Sequence, residues 1–230
     1  AIQLSRDVTA VIDGNDSAGN IVNAAKMLVS ADAEHIVSTT AIGASVSGGI
    51  YGSLSVAGTT SLTKVGGTVK SGIYDIVGKS SGFDVLANRS SDVELNGVAG
   101  AISASLVGVA AGMGVGVVND EGVTEAEVVD STLNNTSAAA MNTVKAENTT
   151  KLAANVFSGS IGTGAATGGT VVVNNINGNV KAAVLNSTIG TKYGSANGSF
   201  KAEAINNIDA DFHAGQAVAG LAGGSAAVGV

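Results

Sequence analysis

The chain has 230 residues, with 11 Lys and Arg against 18 Asp and Glu, a net charge of −7, 3% aromatic residues, and neither cysteine nor proline. That composition excludes a disulfide framework and a thiolate metal centre, and its scattered bases exclude nucleic acid or an anionic membrane as the main partner. Bulky side chains are too scarce for a wide globular core, while the missing proline points to a backbone engaged in hydrogen-bond ladders almost throughout.

In chain order, VTAVIDGN from Val8 is a looser copy of a second phrase that returns further along, and a corner is expected at Asp13 to Asp16. At Ala31 begins ADAEHIVS, an Ala-led phrase that is rich in acids and amides. It returns as ANRSSDVE from Ala87, AENTTKLA from Ala146 and AINNIDAD from Ala204, at gaps of 56, 59 and 58 residues. Each copy is followed by small, nearly uncharged residues beginning near Ala41, Gly97, Gly159 and Ala214. A second phrase, GVTEAEVVDSTL from Gly122, returns as NVKAAVLNSTI from Asn179. Further corners are expected where Asn, Asp, Gly and Ser cluster: Asn119 to Gly122, Asn134 to Thr136, Asn174 to Gly178, Asn186 to Ser187, and Asn206 to Asn207. Asn and Gly tolerate the left-handed backbone such corners demand, and Asn side chains stacked there can bond from coil to coil.

Repetition at about 57 residues is the signature of a solenoid. The expected fold is all-β, a single-stranded parallel β-helix forming one solenoid over residues 1–230. Each unit is expected to divide into three coils of 19–20 residues, because Ala183 and Ala202, Ile189 and Ile208, and Val180 and Phe200 stand in comparable settings. Twelve such coils stacked at about 4.8 Å would make a rod roughly 55–60 Å long. The uncharged stretch Gly97 to Val118, with Gly108 and Gly112 at GxxxG spacing, raises the alternative of a transmembrane helix. Its glycine and β-branched content disfavours helix, and the alternation Gly114, Val115, Gly116, Val117 suits a strand, so no span is expected. The chain starts without a signal segment and stops at Val230 inside a Gly/Ala/Val phrase, which reads as a piece of a longer array.

The leading catalytic candidates are Asp209, Asp211 and His213, which strand periodicity puts on one face. The equivalent positions one repeat earlier are Lys151, Ala153 and Asn155, so a solvated strand face explains the same pattern. Glu125, Glu127 and Asp130 form a second carboxylate run, but paired carboxylates cleave glycosides only at defined separations. Glu125, Glu127, Lys181, Lys201 and Glu203 are expected to face solvent. His35, alone near a strand start, is expected on the surface, and the two histidines lack the spacing of a zinc site. The glycines at Gly162, Gly164 and Gly168 lack the strand-then-helix context of a phosphate loop. Asn-x-Ser/Thr triplets at Asn15, Asn88, Asn134, Asn135, Asn148, Asn186 and Asn197 are explained by turn chemistry before glycan attachment. The adjacent pairs Thr39-Thr40, Thr59-Thr60 and Thr149-Thr150 point to opposite faces and leave no ice-binding array. No cofactor and no metal site is expected.

The phrases GTVVVNNINGNVKAAVLNSTIG from Gly169, AGMGVGVVNDEGVTEAEVVDSTL from Ala111 and LAGGSAAVGV from Leu221 resemble the large secreted filamentous adhesins, hemagglutinin-like and leukotoxin-type exoproteins of Gram-negative anaerobes. The resemblance covers the chain from about Val85 onward. It implies a right-handed β-helix, export to the bacterial cell surface or medium, and a structural or adhesive role without catalysis. The partner it implies is a host receptor, matrix protein or glycan, with the segment itself monomeric. The rival functions are a polysaccharide-cleaving β-helix enzyme centred on Asp209, Asp211 and His213, and a cytolytic module drawn from the leukotoxin-type likeness and the apolar Gly97 to Val118 stretch.

Overall fold

A computed structural model describes residues 1–14, 21–190 and 198–229. Among them the chain forms fifteen strands: β1 (Ile2–Ser5), β2 (Val8–Asp13), β3 (Ile21–Asn23), β4 (Met27–Gly48), β5 (Ser53–Tyr74), β6 (Val77–Ser80), β7 (Gly82–Ala104), β8 (Gly108–Val129), β9 (Thr132–Asn135), β10 (Met141–Gly162), β11 (Ala165–Ile176), β12 (Asn179–Leu185), β13 (Thr188–Gly190), β14 (Ser199–Ala219) and β15 (Ala222–Gly229). They pair in parallel into three sheets. Sheet I holds β1 and β2, then β5, β8, β11 with β12, and β15; sheet II holds β3, β6, β9 and β13; sheet III holds β4, β7, β10 and β14. The chain visits I, II and III in that order four times and returns to I, which is the path of a parallel β-solenoid.

The register confirms the repeat residue by residue. Ala31, Ala87, Ala146 and Ala204, which open the four Ala-led phrases, are direct neighbours across sheet III. The second phrase stacks likewise, Val8 on Val69, Val69 on Thr124 and Thr124 on Val180. The expected division into 19–20-residue coils is corrected by the same pairing. Residue 27 pairs with 83 and residue 53 with 108, so one full repeat makes one turn of the solenoid. Ala183 lies in sheet I and Ala202 in sheet III, so they are not coil equivalents. Short-range echoes of this kind arise because a chain built so largely of Ala, Val, Ile, Gly and Ser offers similar residues at many spacings. The solenoid is therefore wide and short. Strands of 22 residues span about 70 Å at 3.3 Å per residue, and four turns rise only about 19 Å.

Alternation is nearly strict along the long strands, as in the BeBeBeBe burial of β4. Inward residues build one large apolar cluster near sheet II, with Met27, Val29, Val69, Ile73, Phe83, Val85, Val128, Leu133 and Val144, and a second one further along, with Val65, Val93, Leu95, Val118, Leu152 and Val156. Beyond them the two long sheets approach over small residues such as Ala57, Ala101 and Ala110. Hydroxyls tie the sheets together there, Thr39 to Thr63 at 3.0 Å, Ser55 to Ser45 at 2.9 Å and Ser158 to Thr170 at 3.0 Å.

The corner between sheets I and II is a column of left-handed residues, Asp75, Asp130 and Asn186, with φ of 53°, 50° and 50°. The ladder continues through it, Asp75 N–H donating to Val129 O and Asp130 N–H to Leu185 O. Asn186 to Ser187 is thus a corner, as expected, and Thr136 follows the end of β9. Asn177 and Gly178 separate β11 from β12 within sheet I. Asn119 to Gly122 and Asn206 to Asn207, expected at corners, lie inside β8 and β14; their amides serve the faces of strands instead. Asn15 and Asp16 fall outside the described residues, as does Asn197. Gly97 to Val118 forms the end of β7, a turn and the start of β8, and among the described residues no helix is long and apolar enough to cross a membrane.

Candidate functional site

Asp209, Asp211 and His213 lie on β14 with side chains on the outer face of sheet III, opposite Lys151, Ala153 and Asn155 of β10, the positions matched to them from the sequence. Asp209 and Asp211 border a shallow depression of about 230 Å³ together with Asp92, Lys151, Leu152 and Ala153. Lys151 stands between Asp92 and Asp209 in one row. His213 Nδ1 is 3.4 Å from Asp211 Oδ1, both side chains being well exposed. The arrangement is an open basin of alternating charge. Among the described residues no three His, Asp or Glu side chains are placed to share a metal ion.

The second carboxylate run is split by the strand and its corner. Asp130 occupies the left-handed corner column. Glu127 is enclosed on the outer face of sheet I, against the expectation that it faces solvent, because three side chains fold over it. Lys181 Nζ approaches Glu127 Oε1 at 2.6 Å, Lys70 Nζ approaches Oε2 at 3.2 Å, and the Tyr74 hydroxyl donates to Oε2 at 3.2 Å. Lys70 also lies 5.5 Å from the Tyr74 ring centroid, a cation–π contact, and 3.5 Å from Glu125. Burial alone would raise the Glu127 carboxyl, but hydrogen bonds from Lys181 and Lys70 outweigh it and hold the group below its ordinary value. Burial likewise opposes the Lys70 charge, yet Glu127 and Tyr74 hold that ammonium above its usual range. A carboxylate so paired is a clasp across three turns of the solenoid, with three donors on its roughly four lone-pair sites and a lowered proton affinity that makes it a weak general base.

The deepest polar cluster is one the sequence reading missed. Arg89, inward on β7, meets Asp120, inward on β8, in a bidentate ion pair: Nη2 to Oδ1 at 2.5 Å and Nη1 to Oδ2 at 3.2 Å, with side chains 0% and 2% exposed. Arg89 Nη1 also donates to Asn148 Oδ1 at 3.0 Å, and the Thr150 hydroxyl donates to Asp120 Oδ2 at 2.9 Å. Asn148 Nδ2 passes the chain on to Asn206 Oδ1 at 2.9 Å. This is a turn-to-turn amide ladder, placed in the interior instead of at a corner. Gly122 makes the room: a Cβ there would stand 2.1 Å from Arg89 Cζ. The available signal was parity, since Arg89 falls on the same inward face as Ala87, Val85 and Val93.

His35 is buried beside this cluster, against the expectation of a surface position, because β4 begins at Met27 and sets its parity inward. Neither ring nitrogen has a hydrogen-bond partner. Burial, reinforced by the Arg89 charge, holds the imidazole below its ordinary value, partly offset by the Ser90 backbone and Asp120. Of the Asn-x-Ser/Thr triplets among the described residues, Asn186 alone sits in the left-handed corner. Asn135 and Asn148 are buried, and Asn88 lies within β7, donating to Asp32 Oδ1 at 2.6 Å. Thr39, Thr59 and Thr150 point inward and are buried, while Thr40 and Thr60 are exposed, so the threonine pairs do divide between faces.

A broad concavity of about 620 Å³ spreads over the outer face of sheet III. It is lined by Asp32 and Glu34 of β4, Asn88 and Ser90 of β7, and Glu147, Thr149 and Lys151 of β10, with Arg6 at its margin. No family profile, curated protein or solved structure matches the chain.

Proposed function

We propose that the chain is a structural and interaction segment of a bacterial cell-surface or secreted adhesin, a rigid β-solenoid spacer whose polar face meets a host receptor, matrix protein or glycan. The observation that supports it best is the row-upon-row repetition of outward carboxylates, amides and hydroxyls on the Met27-proximal half of sheet III, laid on a parallel ladder that runs through every turn. Such a face is broad and shallow. It suits an extended partner held by many modest contacts, in contrast to the enclosed, mainly apolar pockets that hold small molecules. A saturation-binding titration of the purified chain on host cells and a matrix panel, with an unrelated β-helix as control, tests the proposal. Saturable, competable binding that falls on substituting Asp32, Glu34 and Glu147 supports it; binding no greater than the control leaves only the spacer role.

A second reading, cleavage of an acidic polysaccharide, is favoured by the basin in which Asp209, Asp211 and Asp92 surround Lys151. Release of unsaturated or reducing sugar ends, lost in Asp211→Ala, would establish it.

A further inference from the structure

Charge is absent from one end of the solenoid in every turn. The stretches 36–63, 95–119, 152–180 and 214–230 contain no Asp, Glu, Lys, Arg or His, and each folds about a turn between sheets III and I. On the outer face of sheet III this end has a regular relief. A ridge of Ile42, Val98 and Phe157 runs across the strands, the Phe157 ring reaching over Gly215 of β14. Beside it lies a trough of Ala44, Gly100, Gly159 and Ala217, then a second ridge of Val46, Ile102 and Ile161, then the small residues Gly48 and Ala104. The ridges are solvent-exposed, Ile42 and Val46 at 76% and Ile161 at 55%.

We propose that a second copy of the chain covers this face, the Val46–Ile102–Ile161 ridge of each copy seating in the Ala44–Gly100–Gly159–Ala217 trough of the other. The relief is self-complementary. Rotation by 180° about a line parallel to the solenoid axis, midway between trough and second ridge, reverses strand direction and places each ridge on the other copy's trough. The same operation lays Ile42 on Gly48 and Val98 on Ala104, and carries Phe157 to the end of β10. Large meets small between trough and second ridge in the rows of β4, β7 and β10, while β14 adds the small Ala217 and Ala219; this is the condition for two sheets to interdigitate at about 10 Å, and the two-fold makes the interface isologous and closed. The face measures about 26 Å along the strands and about 19 Å across four of them. Two copies therefore bury about 1,000 Å², near the lower bound for a specific interface, which predicts a weak dimer.

Two competing coverings fit less well. In hydrocarbon the outer strands β4 and β14 would expose unpaired backbone N–H and C=O groups. The outer face of sheet I at the same end is also apolar, but Met113 rises from the row of Gly58 and Gly169 and interrupts any trough.

The test is sedimentation velocity on the full chain from about 1 to 200 μM, a range that brackets a dimer of micromolar affinity. Wild type should show a reversible monomer–dimer equilibrium. The informative variant is Gly100→Val with Gly159→Val, because a Cβ at Gly100 meets nothing within 4 Å and one at Gly159 meets only Ala217 O at 3.7 Å. It should keep the far-UV spectrum and melting temperature of wild type while weakening dimerisation at least tenfold. Ile102→Ser with Ile161→Ser should weaken it comparably. A monomer at every concentration, a dimer untouched by the glycine variant, or a monomer that floats with phosphatidylcholine vesicles would each overturn the proposal.

Discussion

Removing the Asp120 carboxylate tests whether the buried ion pair is coupled as its geometry requires. Arg89 is 0% exposed and its two terminal nitrogens are taken by Asp120 and Asn148. Asp120→Leu leaves a guanidinium buried with one neutral acceptor and strips the Thr150 hydroxyl of its acceptor. Breaking one side of a buried pair costs about 3–5 kcal/mol, which for a chain of this size lowers the melting temperature by roughly 6–20 °C. Arg89→Met alone should cost a similar amount, since it strands the carboxylate. In the double variant both charges are gone, and Thr150 and Asn148 are left to bond each other, an exchange already begun by the 3.3 Å contact from Asn148 Nδ2 to Thr150 Oγ1. The double variant should therefore be more stable than either single one. Urea unfolding followed by far-UV circular dichroism on all four proteins closes the cycle. A double variant at least as unstable as the worse single one would refute the coupling, as would an Asp120→Leu cost below about 1 kcal/mol.

The His35 imidazole is held low when folded, so the unfolded chain binds its proton first. Stability should be full above the unfolded value near 6.5 and decline as pH falls through the lower folded value. Melting temperature measured from pH 8 to 5 should show this decline, and His35→Phe should flatten it. The Glu127 carboxyl is also depressed, so the stability it adds is present above the unfolded carboxylate value and lost as pH falls through the folded one. Wild type and Glu127→Gln should accordingly converge in melting temperature towards about pH 3 and separate above about pH 5. At the corner column, Asp130→Gly should be neutral or stabilising and Asp130→Val destabilising by about 1–2 kcal/mol, because a β-branched residue resists φ near +50°.

The repeat was legible because register and sequence spacing are the same quantity in a solenoid. Once Ala31, Ala87, Ala146 and Ala204 are matched, their pairing in sheet III follows, and so does the stacking of Asp209 on Lys151. The length of a turn was not legible. An uninterrupted 22-residue alternation contains no mark of where a strand might bend, and the Asn and Gly at Asn119 to Gly122 imitate a corner. Their actual service is interior: Gly122 clears space for Arg89, and Asp120 faces it. That contact joins residues of different sheets, and no periodicity within one strand reports which inward residue opposes which. His35 was misplaced for a simpler reason. A histidine at the edge of a strand would stand exposed, but β4 starts well before it at Met27 and carries His35 inside one continuous alternation, on the inward face with Ala31 and Ala33.

Register in this solenoid needs a specifying device, and the polar cluster is the part of the core suited to supply one. A slip of one residue would turn every inward side chain out and is forbidden by burial. A slip of two keeps parity, and along strands of Ala, Val, Ser and Gly it exchanges side chains of nearly equal size, so apolar packing resists it weakly. The Arg89, Asp120, Asn148 and Asn206 chain cannot be shifted in that way. Moving β7 by two residues against its neighbours places the guanidinium about 7 Å from its carboxylate and brings it away from Gly122, the residue without a Cβ that admits it. The charge is then buried and unpaired, at a cost of several kcal/mol. The cluster lies between the two apolar cores, in the first half of β7 and just past the middle of β8, where one fixed pairing sets the alignment of the arms on either side.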